Sequence, residues 1–174
     1  MRGRVLSVPA RRLPAMSTDP HTTAWLDQED AHLAAVIRRA RFAVQYVGPG
    51  EGPGEPAFGY TIGLFGLGHP ELVVVGRGAS ATHMLLDAAA GQVLAGRSLV
   101  PGELVEAAGE ALLVEECPNP GDVLLGANRW YQRPAEYSVP AQQLAWASPP
   151  GCWPWDAGWD GGAHGQPRPG TWTA

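Results

Sequence analysis

The densest group of chemically capable residues is Phe58-Gly-Tyr-Thr-Ile-Gly-Leu64, followed at once by His69-Pro-Glu71. In an extended segment, residues two apart point to the same side, so His69 and Glu71 share a face. A carboxylate beside an imidazole tunes it for proton transfer, with His69 as acid/base and Glu71 as its orienting partner. The same pair also suits two metal ligands, or a purely structural turn in which His69 is hydrogen-bonded, Pro70 stiffens the chain and Glu71 is solvated. Tyr60 and Thr61 alternate faces, so only one of them can contact a ligand in the same pocket.

A second group is Trp153-Pro-Trp-Asp156. Aromatic side chains line small-molecule sites, so Trp153, Trp155 and Trp159 can wall a pocket with Asp156 touching the ligand. The competing reading packs the indoles onto a sheet and has Asp156 anchor the tail through backbone amides. The other histidines, His21, His32, His83 and His164, are weaker candidates, and His83 with Asp87 makes an ordinary helical pair.

Several familiar signatures are absent. There is no HExxH and no paired Cys, so no metal site is expected. No Ser sits in GxSxG. The glycines from Gly63 to Gly68 fail the dinucleotide pattern, because Glu71 takes the last glycine position and a strand follows rather than a helix.

These residues need elements to hold them. Candidate caps over residues 17–23 introduce a helix over 25–41, with acids Asp27, Glu29 and Asp30 near its start and Arg38, Arg39 and Arg41 near its end. Strands are expected over residues 42–47, 57–64 and 72–76, the last two forming an antiparallel pair. Residues 48–56 make an exposed Gly/Pro loop. Ser80 caps a second helix running to about Ala95, stopped by Gly96. Further strands fit 102–106, 111–116 and 142–147, and a short helix opens at Asn119-Pro120 and runs to about Trp130. The last 27 residues hold 5 Pro, 6 Gly and 4 Trp, which forbids regular structure while demanding burial of indoles. The expected fold class is α+β: a mainly antiparallel sheet with two to three helices and an irregular Trp/Pro/Gly-rich C-terminal wrap.

Composition narrows the function. The chain has 174 residues, enough for one domain with a real core over 16–174. All 12 cations are Arg; without Lys there is no P-loop, no Schiff-base enzyme and no kinase catalytic set. Residues 1–15 carry four Arg and no acid, and read as a basic, disordered extension. From Met16 onward 8 Arg face 17 acids, a net charge of -9, which argues against a nucleic-acid partner. No window approaches the roughly 18 apolar residues that span a bilayer, so no membrane association is expected. Cys117 and Cys152 stand alone and fit a cytoplasmic protein with free thiols, although a disulfide between them is open.

The motifs also carry a resemblance. The segments Phe58–Leu64 and His69-Pro-Glu-Leu72, the helix ending at Gly96, Pro101-Gly102, Gln143-Leu-Ala-Trp146, Gly151-x-x-Pro-Trp-Asp156 and Gln166-Pro167 resemble the bacterial family of domain of unknown function 4262. The resemblance covers about residues 24–170 and implies a soluble bacterial protein of one domain, with no assigned reaction. One departure is visible: where the family usually shows Pro-Asp after Trp146, this chain reads Ala147-Ser148-Pro149. A lost acid there points to a specialised relative, such as an enzyme in a secondary metabolic pathway.

The leading expectation is a small-molecule enzyme or ligand-binding protein. Its pocket lies between the Tyr60–Glu71 hairpin and the tail, its cofactor is unknown, and His69 and Glu71 act as acid/base pair. Tyr60, Thr61, Trp153, Trp155 and Asp156 contact the ligand. A non-catalytic interaction, stress or regulatory module is the alternative, and a flavin-binding split barrel ranks last. Oligomeric state is unknown.

Overall fold

A computed structural model describes residues 20–51, 55–148, 151–159, 165–167 and 171. The basic extension of residues 1–15 lies outside the described residues. Helix α1, Pro20–Ala40, starts earlier than its charge pattern suggests. Pro20 suits a first helical position, where its missing N–H costs nothing. Asp27, Glu29 and Asp30 therefore lie beyond the first turn, and only Arg38 and Arg39 complement the dipole as expected. Leu33 and Ile37 face inward, and Arg41 closes the helix in the left-handed region at φ 74°.

Six strands form one sheet: β1 (Ala43–Val47), β2 (Phe58–Ile62), β3 (Glu71–Val75), β4 (Leu104–Ala107), β5 (Glu110–Glu116) and β6 (Ala141–Trp146). Their order is β1-β2-β3-β6-β5-β4, antiparallel at every junction except β3–β6, which is parallel. The sheet is thus α+β and mostly antiparallel. It is open, with β1 and β4 at its edges, so the described strands do not close into the barrel of the flavin reading.

Every residue of β2, β3 and β6 is buried, as expected for central strands covered on both faces. Alternation splits them between two cores. Leu72, Val74, Leu112, Val114, Leu144 and Trp146 pack with α2 (Ala79–Leu94) through Leu85, Leu86, Ala89 and Ala90. Tyr60, Ile62, Val73 and Val75 pack on the other side with Val123, Leu124 and Ala127. Val123 belongs to α3 (Pro120–Val123), Ala127 to α4 (Leu125–Trp130), and Leu124 joins them, two short helices where one was expected. Gly78, not Ser80, is the N-cap of α2. The described residues form four helices where two to three were expected, and 3-10 turns occupy Phe65–Leu67 and Ala135–Tyr137. Among the described residues, no helix is long and apolar enough to cross a membrane.

Beyond β6 the described residues form no helix or strand, in keeping with their Pro and Gly content. A bridge joins Ser148 to Cys152. Trp159 packs on Trp146, ring centroids 5.2 Å apart. Gln166 donates from Nε2 to Trp146 O (2.9 Å) and accepts Trp146 N–H at Oε1 (3.1 Å). Its amide thus takes the place of a neighbouring strand where β3 and β6 no longer pair. Both Cys are free; Cys117 is buried, which raises its thiol pKa.

Candidate functional site

The β2–β3 connection is organised by one carboxylate. Glu71 is fully buried at the start of β3. Its Oε1 accepts N–H bonds from Gly63 (2.8 Å) and Phe65 (3.1 Å), and its Oε2 accepts Thr61 Oγ1–H (2.7 Å) and Leu64 N–H (3.3 Å). Thr61 Oγ1 in turn accepts Leu72 N–H at 2.8 Å. The next amide, Gly66 N–H, goes to the Tyr131 hydroxyl (3.0 Å), which lies 3.5 Å from Glu71 Oε1. Four successive backbone donors, residues 63–66, are thereby satisfied by Glu71 and Tyr131. Gly63 is required here twice over. Its φ is 134°, and a Cβ would lie 2.5 Å from Arg41 O at the corner between α1 and β1.

Electrostatics at Glu71 pull both ways. Burial raises its pKa and is the largest influence; the bonds from Thr61, Phe65, Gly63 and Leu64 lower it part of the way back. Every partner is a donor, so the cradle fits the ionised form. Tyr131 is pushed up to about 12, first by burial and then by the Glu71 charge beside it. Its ring meets Phe65 edge-on, centroids 5.0 Å apart.

His69 serves a different backbone segment. Its Nε2 accepts Leu99 N–H at 3.0 Å, and its Nδ1 lies 2.7 Å from Pro70 O. The tautomer that satisfies both contacts carries the proton on Nδ1. Gln142 Nε2 donates to Leu99 O at 3.0 Å, so two side chains complete both polar groups of Leu99. Among the described residues, no hydrogen bond or ion pair joins His69 to Glu71. Glu71 and His69, expected as a pair, instead engage different segments: the carboxylate turns to the 63–65 amides and the imidazole to Leu99. Nor is Glu71 solvated, as the structural-turn reading held.

Tyr60 and Thr61 part company as their alternation requires. Thr61 joins Glu71. The Tyr60 hydroxyl donates to Gln45 Oε1 (3.0 Å) and accepts Gly126 N–H (2.9 Å), tying β1 and α4 to β2. Burial drives the Tyr60 pKa strongly upward.

The tail candidates follow the far end of β6. Glu71 pairs in register with Ala141 at the start of β6, whereas the tail leaves β6 after Trp146. Five residues of strand separate those points, about 17 Å. Trp153 and Trp155 stack on each other, centroids 5.6 Å apart and planes within 1°, and both are half-buried. Exposed Asp156 accepts Trp153 N–H at Oδ2 (2.7 Å), and Asp156 N–H reaches Trp153 O (2.9 Å). Asp156 thus clamps the turn that presents the indoles. At the same end of the sheet the Arg77 guanidinium lies 4.1 Å over the Trp146 ring and pairs with Glu110. An open cleft of about 290 Å³ lies apart from both groups, lined by Pro118–Asp122 and Ala135–Ser138.

Residue types alone did not single out Tyr131, Gln142 or Arg77. Tyr131 lies 60 residues from Glu71 and Gln142 43 from Leu99, and no local spacing signals such meetings. Gln166 carried a signal only through the resemblance.

The fold and site together are an open, mostly antiparallel α+β sheet with a buried carboxylate cradle and an aromatic turn beyond its last strand. The chain belongs to the family Domain of unknown function (DUF4262), which matches residues 36–160. The match runs from inside α1 through the tail turn, so it includes both the His69–Glu71 segment and Trp153–Asp156. No curated protein and no solved structure matches the chain.

Proposed function

We propose that this is a ligand-binding domain whose contact surface is the Trp153–Trp155 platform, with Asp156 beside it. The single observation that carries the reading is the stacked, half-buried indole pair, held on a turn clamped by Asp156. Stacking surfaces fixed in advance bind planar molecules with little ordering cost. A carboxylate at the rim favours a neutral or cationic ligand over an anion, in keeping with the acidic body.

The acid/base role of His69 and Glu71 is not carried into this proposal. Each polar atom of the two side chains is engaged by backbone or by Thr61 and Tyr131. Thr61 and Tyr60 likewise act through the fold. Free thiols at Cys117 and Cys152 support a cytoplasmic setting, and the family resemblance supports a bacterial one. A protein-interaction role draws on a different surface, the sheet edge at Leu104.

The test is a titration with a planar cation, 1-methylnicotinamide, and a planar anion, benzoate, followed through the indole N–H resonances. The cation is expected to shift Trp153 and Trp155, and benzoate to do so weakly. Equal responses across all indoles, or none, would remove the proposal.

A further inference from the structure

The outer edge of β4 has a defined hydrogen-bonding phase. Gly102 N–H bonds Val114 O (2.8 Å) while Val114 N–H bonds Glu103 O (2.9 Å), and Gly102 has φ 89°. This is a bulge with glycine in the left-handed position, and it fixes which residues of β4 face inward. Val105 and Ala107 turn their backbone groups to β5, where they pair with Leu112 and Glu110. Leu104 and Glu106 turn theirs outward. Among the described residues, Glu106 O has one partner on that side, Gln92 Nε2 at 2.7 Å. Gln92 is itself held by Arg97 Nη1 (2.6 Å), and Arg97 by Glu103. Leu104 N–H, Leu104 O and Glu106 N–H form no such bond to described residues.

The side chains along this edge have a clear character. Leu104 is 60% exposed and Val100 52% exposed, large values for apolar residues. Leu104 and Glu106 point to the face away from α2, since Val105 and Ala107 are the buried members of β4. Of the acids along this edge, Glu103 is paired with Arg97 and Glu110 with Arg77, while Glu106 forms no ion pair among the described residues. Self-pairing of two such edges would bring like charges together, which disfavours a second copy.

We propose that the outer edge of β4 docks an extended segment of a partner protein by strand addition. The segment places an apolar side chain opposite Leu104 and a basic one opposite Glu106. Backbone bonds to Leu104 and Glu106 set the register, and the Glu106 carboxylate selects the basic residue. Gln92 acts as a latch on the edge: the added strand takes over Glu106 O when the Gln92 amide swings away. Unlike the indole platform, this surface calls for a protein partner, so it stands or falls separately.

The experiment uses the full chain and a blocked peptide, Thr-Val-Thr-Arg-Thr-Val-Thr-Arg, with a counterpart carrying Glu for Arg. Backbone amide spectra are expected to show the Arg peptide shifting Leu104 and Glu106, and the Glu peptide binding about tenfold more weakly or worse. Glu106→Arg should reverse that preference, and Gln92→Ala should strengthen Arg-peptide binding roughly two- to tenfold by freeing an acceptor. Should Glu106→Arg fold poorly, Glu106→Gln should still erase most of the discrimination. Three results overturn the proposal: no β4 shifts at millimolar peptide, equal binding of both peptides, or self-association through β4 without peptide.

Discussion

Replacing Glu71 with Ala removes one carboxymethyl group, close in size to acetate, from the cradle at residues 63–66. Three backbone N–H donors and the Thr61 hydroxyl then lose their acceptor in a site with no access to water. Each orphaned donor costs roughly 1–3 kcal/mol. The sum is offset because a charge no longer has to be desolvated, so the net loss expected is about 3–5 kcal/mol, the range for breaking a buried ionic group from its partners. For a chain of this length that lowers the Tm by roughly 6–20 °C. Acetate at ten times its dissociation constant should restore about 1.4 kcal/mol, a few degrees, in Glu71→Ala while leaving the native chain unmoved at equal ionic strength. Glu71→Gln should not respond, because its own amide fills the space. It should also flatten the pH dependence of stability. Burial raises the Glu71 pKa, so the folded state keeps a proton that the unfolded chain has released. Stability is therefore lost as pH climbs from the ordinary carboxylate range through the folded value. Thermal unfolding followed by circular dichroism across pH and acetate concentration reads all of this. A Glu71→Ala protein as stable as the native one, or an acetate effect equal in both, would refute the cradle.

Other outcomes follow from the same contacts. His69→Ala leaves Leu99 N–H without its acceptor and should cost about 2 kcal/mol in urea unfolding, whereas an unchanged midpoint would return His69 to the list of acid/base candidates. Gln166→Ala removes both bonds to the Trp146 backbone and should cost roughly 1–3 kcal/mol, with a change in the near-ultraviolet aromatic signal. In a spectrophotometric titration Tyr131 should ionise only near pH 12, and its contribution to stability, present below pH 10, should fade between those values. Tyr131→Phe should remove that alkaline step.

The legible parts of the fold were those set by local pattern. The strand run of β2, the antiparallel β2–β3 turn and the helix after Gly78 all follow from alternation, turn residues and helical spacing. The parallel β3–β6 pair was hidden because 65 residues separate the strands, and a chain pattern does not record which distant edges meet. Charge placed the start of α1 too late, since Asp27, Glu29 and Asp30 lie beyond the first turn, where Asp30 pairs with Arg129.

At the β2–β3 connection, residue type marked the polar residues but not their partners. His69 and Glu71 are both buried polar residues. Their spacing suggested a pair, but the turn between Gly63 and Phe65 offers Glu71 stronger partners than an imidazole, and Leu99 comes to His69 from 30 residues away. The tail indoles were expected to pack and to wall a site. Trp159 packs on Trp146, and Trp153 stacks on Trp155, both half-buried. Trp172 falls outside the described residues.

The most direct test of the binding account is a two-dimensional indole N–H titration of the full chain, with its seven Trp, against 1-methylnicotinamide. The account expects saturable shifts confined to Trp153 and Trp155, abolished by Asp156→Ala or weakened by loosening the turn that Asp156 clamps, and untouched by His69→Ala. Shifts that instead centre on the amides of residues 63–66 and vanish with His69→Ala would contradict it, and would restore the hairpin as the functional site.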